Sequence, residues 1–183
     1  MGHALSGLRR LIRPAVLLVA AAGLAGCVTA DPGLQASVAA FPPPWQTEQS
    51  TDADGVRQYL FLCEVPRCPD NAMVALAYQE LSKEQADQLA ADLVLTDGFA
   101  RHMTGGMSKR VENFRFGARR RVLAADKTRV ELDFRTRVDG RPVYGTMALA
   151  SAERAMWFVI SFSEKKDLAR ANLERALTGD VTK

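Results

Sequence analysis

Cys63 and Cys68, bracketing the stretch "CEVPRC", are the first residues of this chain whose types and spacing could do chemistry. Two chemistries fit them. A disulfide needs Cα atoms roughly 4.4–6.8 Å apart, and a chain that turns back at Pro66 brings the pair within that reach. A redox-active dithiol is the other reading, although the spacing is not Cys-x-x-Cys and no helix start evidently follows. A metal centre is short of ligands. Apart from His3 near the start, the chain offers only His102 as an imidazole, against the usual four nitrogen or sulfur ligands of a structural zinc site. No metal and no cofactor are expected.

Other catalytic constellations are absent from the sequence. There is no Gly-x-Ser-x-Gly elbow and no cysteine–histidine pair placed for acyl transfer. His102, close to Gly105 and Gly106, reads as a solvent-facing loop residue. Thr104-Gly105-Gly106 matches neither a phosphate-binding loop nor a dinucleotide turn and reads as a flexible link. Glu131 and Asp133 could act as acid and base from one strand face, but Arg129, Arg135 and Arg137 share that face, which makes a solvated ion-pair ladder the expectation. No catalytic residue is assigned.

The most suggestive group is basic. Arg119-Arg120-Arg121 on a strand sends Arg119 and Arg121 to one face and Arg120 to the other. Lys109, Arg110 and Arg115 precede them, with Phe114 and Phe116 interleaved. The planar guanidinium fork suits phosphate or carboxylate. Arg110, Arg115, Arg119, Arg120 and Arg121 are therefore the candidate anion- or partner-binding residues. The alternative is a charged sheet face compensated by acids elsewhere. Charge is indeed segregated: residues 31–100 hold 11 acids and 3 bases, whereas residues 101–141 hold 12 bases and 5 acids.

The amino terminus says where this chemistry takes place. Arg9, Arg10 and Arg13 precede an uncharged apolar run, Pro14 to Gly26. At 13 residues the run is shorter than the ~20 needed to span a bilayer, and it has the layout of an export signal. It ends in Leu24-Ala25-Gly26-Cys27, which resembles the lipobox of bacterial lipoproteins. That resemblance implies cleavage before Cys27, lipid on its thiol, and a signal peptide over residues 1–26. Val28, not aspartate, follows the cysteine, and the resemblance then implies the outer membrane, facing the periplasm. Removing the signal removes the three arginines that make up the formal +3 charge. The mature chain is formally neutral, so the high isoelectric point of the full sequence is no argument for nucleic acid, and no nucleic-acid partner is expected.

Elements must position these residues. Residues 27–44, rich in small residues and ending in Pro42-Pro43-Pro44, read as the lipidated cysteine and a tether. A single domain is expected over 45–183. Tyr59–Cys63 reads as a strand, and Met73–Tyr78 as a second strand or else a helix. Ser82-x-x-Gln85 forms a capping box before a helix carrying Ala86, Leu89, Ala90 and Leu93, with a stop at Thr96-Asp97-Gly98. "RVELDFRTRV", residues 129–138, alternates strictly and points Val130, Leu132, Phe134, Thr136 and Val138 one way. Asp126-Lys127 and Asp139-Gly140 are turn sites. An arm at 142–150 follows, then "AMWFVISF", apolar on both faces and hence a central strand. Ser163 caps a last helix with Leu168, Ala169, Asn172, Leu173, Ala176 and Leu177 on one side. The fold class is α+β: an antiparallel meander packed with an internal and a C-terminal helix.

This succession, with Pro44-Trp45 at its start, "MVALAYQ", the hairpin in "VDGRPVYGTMALAS" and then "MWFVISF", is similar to the PsbP-type fold. The likeness lies in order and pattern and implies a non-catalytic accessory or binding role. The expected protein is thus a membrane-tethered envelope lipoprotein. Its partners would be the membrane, through the lipid, and an envelope protein or an anionic lipid or glycolipid, through the arginine-rich face. The alternative is a small periplasmic redox factor or enzyme using Cys63 and Cys68.

Overall fold

The computed structural model describes residues 32–91, 111–123, 127–152 and 154–178. Cys27 and the whole signal segment lie outside them, as do His102, the Thr104–Gly106 link, Lys109, Arg110, the Thr96–Gly98 stop and Asp126. Among the described residues the chain forms α1 (Pro32–Ala39), β1 (Gln46–Thr51), β2 (Arg57–Cys63), β3 (Ala72–Glu80) and α2 (Lys83–Ala91). It continues with β4 (Val111–Leu123), β5 (Lys127–Val138), β6 (Arg141–Ala152), β7 (Ala155–Ser163) and α3 (Lys166–Thr178). All seven strands join one antiparallel sheet in the order β1-β2-β3-β7-β6-β5-β4. Two meanders, β1–β3 and β4–β7, thus meet along the β3–β7 seam. The expected antiparallel sheet with accompanying helices is what forms, and the protein is mainly β.

Central strands must be apolar on both faces because both are covered. β7 obeys this: Phe158, Ile160 and Phe162 join one buried cluster, while Ala155, Trp157 and Val159 join the other. β3 splits likewise, with Met73 on the first face and Val74, Leu76 and Tyr78 on the second. α1 and α3 cover the second face through Leu34, Phe41, Leu173, Ala176 and Leu177. α2 meets the first, where the Ser151 hydroxyl of β6 donates to the Ala86 carbonyl at 3.1 Å.

Local chemistry explains the boundaries. The capping box closes reciprocally: the Gln85 amide donates to Ser82 Oγ at 3.2 Å and the Ser82 amide to Gln85 Oε1 at 2.9 Å. Asp139 and Gly140 have φ of 49° and 76°, the pair of left-handed residues that a two-residue hairpin between β5 and β6 requires. Ser163 acts just ahead of α3. Its hydroxyl accepts from the Lys165 amide at 3.2 Å and donates to the Asn71 carbonyl at 3.1 Å, so it ties the helix entry to the loop before β3.

One expectation is corrected and one element was not foreseen. Residues 27–44 were expected to be a tether outside the packed domain, yet Pro32–Ala39 is helical, and Leu34, Ser37, Ala40 and Phe41 are buried. Phe41 explains why: its ring stacks on Phe61 at 4.4 Å and meets Trp45 edge-on at 4.9 Å. Among the described residues, packed structure is therefore already present ahead of Trp45. Second, Gln46–Thr51 is an edge strand that its polar composition concealed.

Gly145 pairs in register with Phe134, whose ring lies over the glycine where a Cβ would overlap it. That ring then meets Phe162 at 5.2 Å and Phe114 at 5.6 Å. Gly145→Ala should therefore cost about 1–3 kcal/mol by overpacking, read as a lowered urea midpoint. In a Phe134→Ala background the same change should cost much less; an equal cost in both would show that the ring is not the obstacle.

Candidate anion-binding cleft

β4 places its side chains by slipping twice. Its register against β5 shifts between Glu112 and Arg115 and again between Phe116 and Arg119. The second slip falls at Gly117-Ala118, and a glycine inside a strand is a common bulge site. Through it Arg115 and Arg120, an odd number of positions apart, reach the same face: Arg115 pairs with Arg135 and Arg120 with Glu131. Arg119 and Arg121 pair with Leu132 and Val130 and take the opposite face. The expected division of the three consecutive arginines therefore holds.

The face carrying Arg115 and Arg120 is the one α3 covers, and this overturns the solvated ladder. Glu131 is only 1% exposed. Arg129 Nε lies 2.9 Å from its Oε1, and Arg170 Nη2 and Arg120 Nε lie 3.3 and 3.4 Å from its Oε2. Arg120 Nη2 also donates to both Asp133 oxygens at 2.9 Å, Arg170 Nη2 donates to Asp133 Oδ1 at 3.1 Å, and Arg129 Nη2 donates to Glu174 at 2.9 Å. Three arginines from β4, β5 and α3 thus converge on two carboxylates of β5. Burial pushes the Glu131 carboxyl above its ordinary 4.5, aided by the Glu174 charge and opposed by Arg129 and Arg120. Arg120 is accordingly a structural cation and not a free ligand-binding group.

A short way along the same face the pattern inverts. Arg115, Arg135 and Arg137 are exposed, and none has a hydrogen-bond or ion-pair partner among the described residues. Arg115 and Arg135 stand directly opposite each other on adjacent strands, a like-charge pairing that is ordinarily destabilising. Arg135 in turn pairs with Tyr144 of β6. Tyr144 is half-buried, with no ring or hydroxyl partner among the described residues. Arg115, Arg135, Tyr144 and Lys166, the first residue of α3, line a cleft of about 390 Å³ together with Phe116 and Gly117. A neighbouring hollow of about 330 Å³ shares Arg115, Arg135 and Tyr144 and adds Arg137. Asp133, the acid on these walls among the described residues, is already held by Arg120 and Arg170. What remains is a concave surface of cations, unpaired among the described residues, beside a tyrosine, with Glu112 opposite Arg137 in the register.

Of the five arginines singled out in the sequence, the cleft uses Arg115 alone. Arg120 belongs to the ion-pair network around Glu131, Arg119 and Arg121 lie on the other face, and Arg110 lies outside the described residues. Arg135, Arg137, Tyr144 and Lys166, which also line these hollows, were not singled out as candidates in the sequence. The alternation in "RVELDFRTRV" put Arg135 and Arg137 on the correct face; what it could not tell is that the two acids are consumed by Arg120, Arg129 and Arg170.

Cys63 and Cys68 form a disulfide with Cα atoms 5.7 Å apart. Both are buried, at 4% and 5% exposure. The corner they close is fastened by the Val65 amide donating to Asn71 Oδ1 at 3.1 Å and by Lys165 Nζ to Asp70 at 2.8 Å, next to the entry of α3. Among the described residues no group of three or more His, Cys, Asp or Glu is placed to hold a metal, and no helix is long and apolar enough to cross a membrane.

Two outcomes follow from these sites. Replacing both cysteines with serine should cost about 2 kcal/mol, the value for so short a loop, and native unreduced protein should resist alkylation at both. For Glu131, a folded pKa above the unfolded one means that the stabilising contribution is fully present below about 4.5 and is lost as pH rises through the folded value. Glu131→Gln should remove that segment, so the difference in urea midpoint between natural and variant chains should drift against the natural chain as pH rises from 4 toward neutrality. A difference that stays flat contradicts the raised pKa. Compared with protein-family models and with the sequences of characterised proteins, the chain matches none.

Proposed function

We propose that this protein is a lipid-anchored component of a bacterial cell envelope, tethered through Cys27, and that it acts as a non-catalytic binding or assembly module. The lipobox-like Leu24-Ala25-Gly26-Cys27 and the short apolar run before it support the anchor. Val28 after the cysteine supports an outer-membrane location facing the periplasm. The disulfide fits an oxidising compartment. A PsbP-like identity for the domain is supported by the order of elements, with an antiparallel sheet bearing helices on both faces, and it agrees with an accessory role.

The observation that carries the binding reading is the contrast between the two halves of one sheet face. Arg120, Arg129 and Arg170 are neutralised in place, while Arg115, Arg135 and Arg137 are not paired by any described residue. Exposed like charges held side by side repel, at roughly 0.7 kcal/mol for 6 Å in bulk water, and a partner of opposite charge turns that cost into affinity. Burial of both cysteines favours a structural disulfide over the redox alternative.

Crosslinking in intact cells tests the reading. The natural protein should yield crosslinked partners that touch the β4–β6 face. Changing Arg115, Arg135 and Arg137 together to Ser should abolish them while leaving the urea midpoint equal or higher. Crosslinks confined to other surfaces and unaffected by the triple change would contradict it. For the anchor, palmitate labelling should be lost in Cys27→Ser; labelling that persists would refute the lipoprotein assignment.

A further inference from the structure

The cleft between β4, β5, β6 and the start of α3 is more specific than a positive surface. Resting on the binding reading above, we infer that it is a site for a phosphate ester carried on a small polar body such as a phosphorylated polyol or sugar. Three features define the ligand. First, Arg115 and Arg135 face each other across one strand pair, and Arg137 follows two positions along the same face. Strand geometry sets opposed Cβ atoms about 5 Å apart and i, i+2 neighbours about 6.8 Å apart. Three forked donors at that spacing can converge on one tetrahedral oxyanion, with bidentate contacts that a planar carboxylate uses only in part. Lys166 lines the larger hollow with Arg115 and Arg135, while Arg137 lines the smaller one with the same two arginines.

Second, the space is larger than the charge needs. The hollows of about 390 and 330 Å³ that share Arg115, Arg135 and Tyr144 fall at the small end of the range for organic ligands. A bare phosphate would leave most of that volume to water.

Third, Tyr144 gives the body of the ligand something to rest on. Its ring and hydroxyl have no partner among the described residues, and it stands beside Arg135 in the register. A phenol offers an apolar face for the carbon skeleton of a sugar or glycerol and a hydroxyl for its oxygens. The wall is otherwise settled, because Asp133 is bound by Arg120 and Arg170 and does not repel an arriving anion unscreened.

The same head chemistry is carried by soluble metabolites and by phospholipid head groups, so the test has an arm for each. The full-length lipoprotein in neutral detergent is titrated with glycerol 3-phosphate and with inorganic phosphate, and separately in micelles doped with phosphatidylglycerol or phosphatidylcholine. Binding is read by calorimetry and by the shift in melting temperature. Glycerol 3-phosphate or phosphatidylglycerol should bind saturably. Arg115→Gln with Arg135→Gln should weaken binding at least ten-fold, whereas Arg119→Gln with Arg121→Gln, on the opposite face, should leave it within two-fold. Tyr144→Phe, and more so Tyr144→Ala, should weaken the ester and spare inorganic phosphate. Saturation by glycerol 3-phosphate assigns a soluble phosphorylated polyol, and saturation by phosphatidylglycerol alone assigns a lipid head group; either supports the site. No saturation by either, equal losses in the two double variants, or inorganic phosphate binding as tightly as the esters would overturn it. If the esters fail to bind while cellular crosslinks still depend on Arg115, Arg135 and Arg137, the phosphate site falls and the binding module stands.

Discussion

Glu131 is a carboxylate taken almost wholly out of water, and the arrangement of the charged face follows from keeping it there. Burying an ionised group costs several kcal/mol, even after relaxation, unless paired charges offset it. Here the offset comes from three directions, since Arg120 arrives from β4, Arg129 from β5 and Arg170 from α3. Each arginine then has a second acid to serve, Asp133 or Glu174. The network therefore fixes three things together: the phase of β4 after its bulge, the seating of α3 over the sheet, and the identity of the cations that are already neutralised. Removing one partner from such a group is far more damaging than replacing the whole by apolar residues. Its value to this fold lies in specifying where α3 sits more than in raw stability.

The rest of the molecule holds that face at a defined distance from the core. β7, in the middle of the sheet, is covered on both sides. α3 departs directly from its end, so the helix enters beside Tyr144, which pairs in register with Ser163. Ser163 and Asn71 bind that junction to the disulfide corner. The disulfide is thus connected to the cleft as part of the scaffold under Lys166.

How much of this the sequence discloses depends on whether the deciding interaction is local. Alternation over 129–138, the two-faced apolar run at 155–162, the Ser82–Gln85 box and the Asp139-Gly140 turn are all local, and each forms where it was expected. α1 was hidden because Pro32–Ala39 is made of small residues whose helicity depends on burying Leu34 and seating the neighbouring Phe41 against β2. β1 was hidden because an edge strand needs no apolar face. The candidate site was half visible. The sequence singled out a cationic region and its face pattern, but it could not separate the arginines held in ion pairs from the others, because pairing with Arg170 and Glu174 spans some 40 residues of chain. The bulge at Gly117-Ala118, which brings Arg120 to Glu131, changes phase in a way that strict alternation cannot show.

The central claim is that two sets of arginines share one face, one consumed in holding the fold and one left open for an anion. The most direct measurement is the rate of phenylglyoxal modification at each arginine of the native protein, followed by mass spectrometry. The account predicts that Arg115, Arg135 and Arg137 react first, and that Arg120, Arg129 and Arg170 react only as the protein unfolds in urea. Comparable rates across the six, or early modification of Arg129 with Arg115 protected, would contradict it.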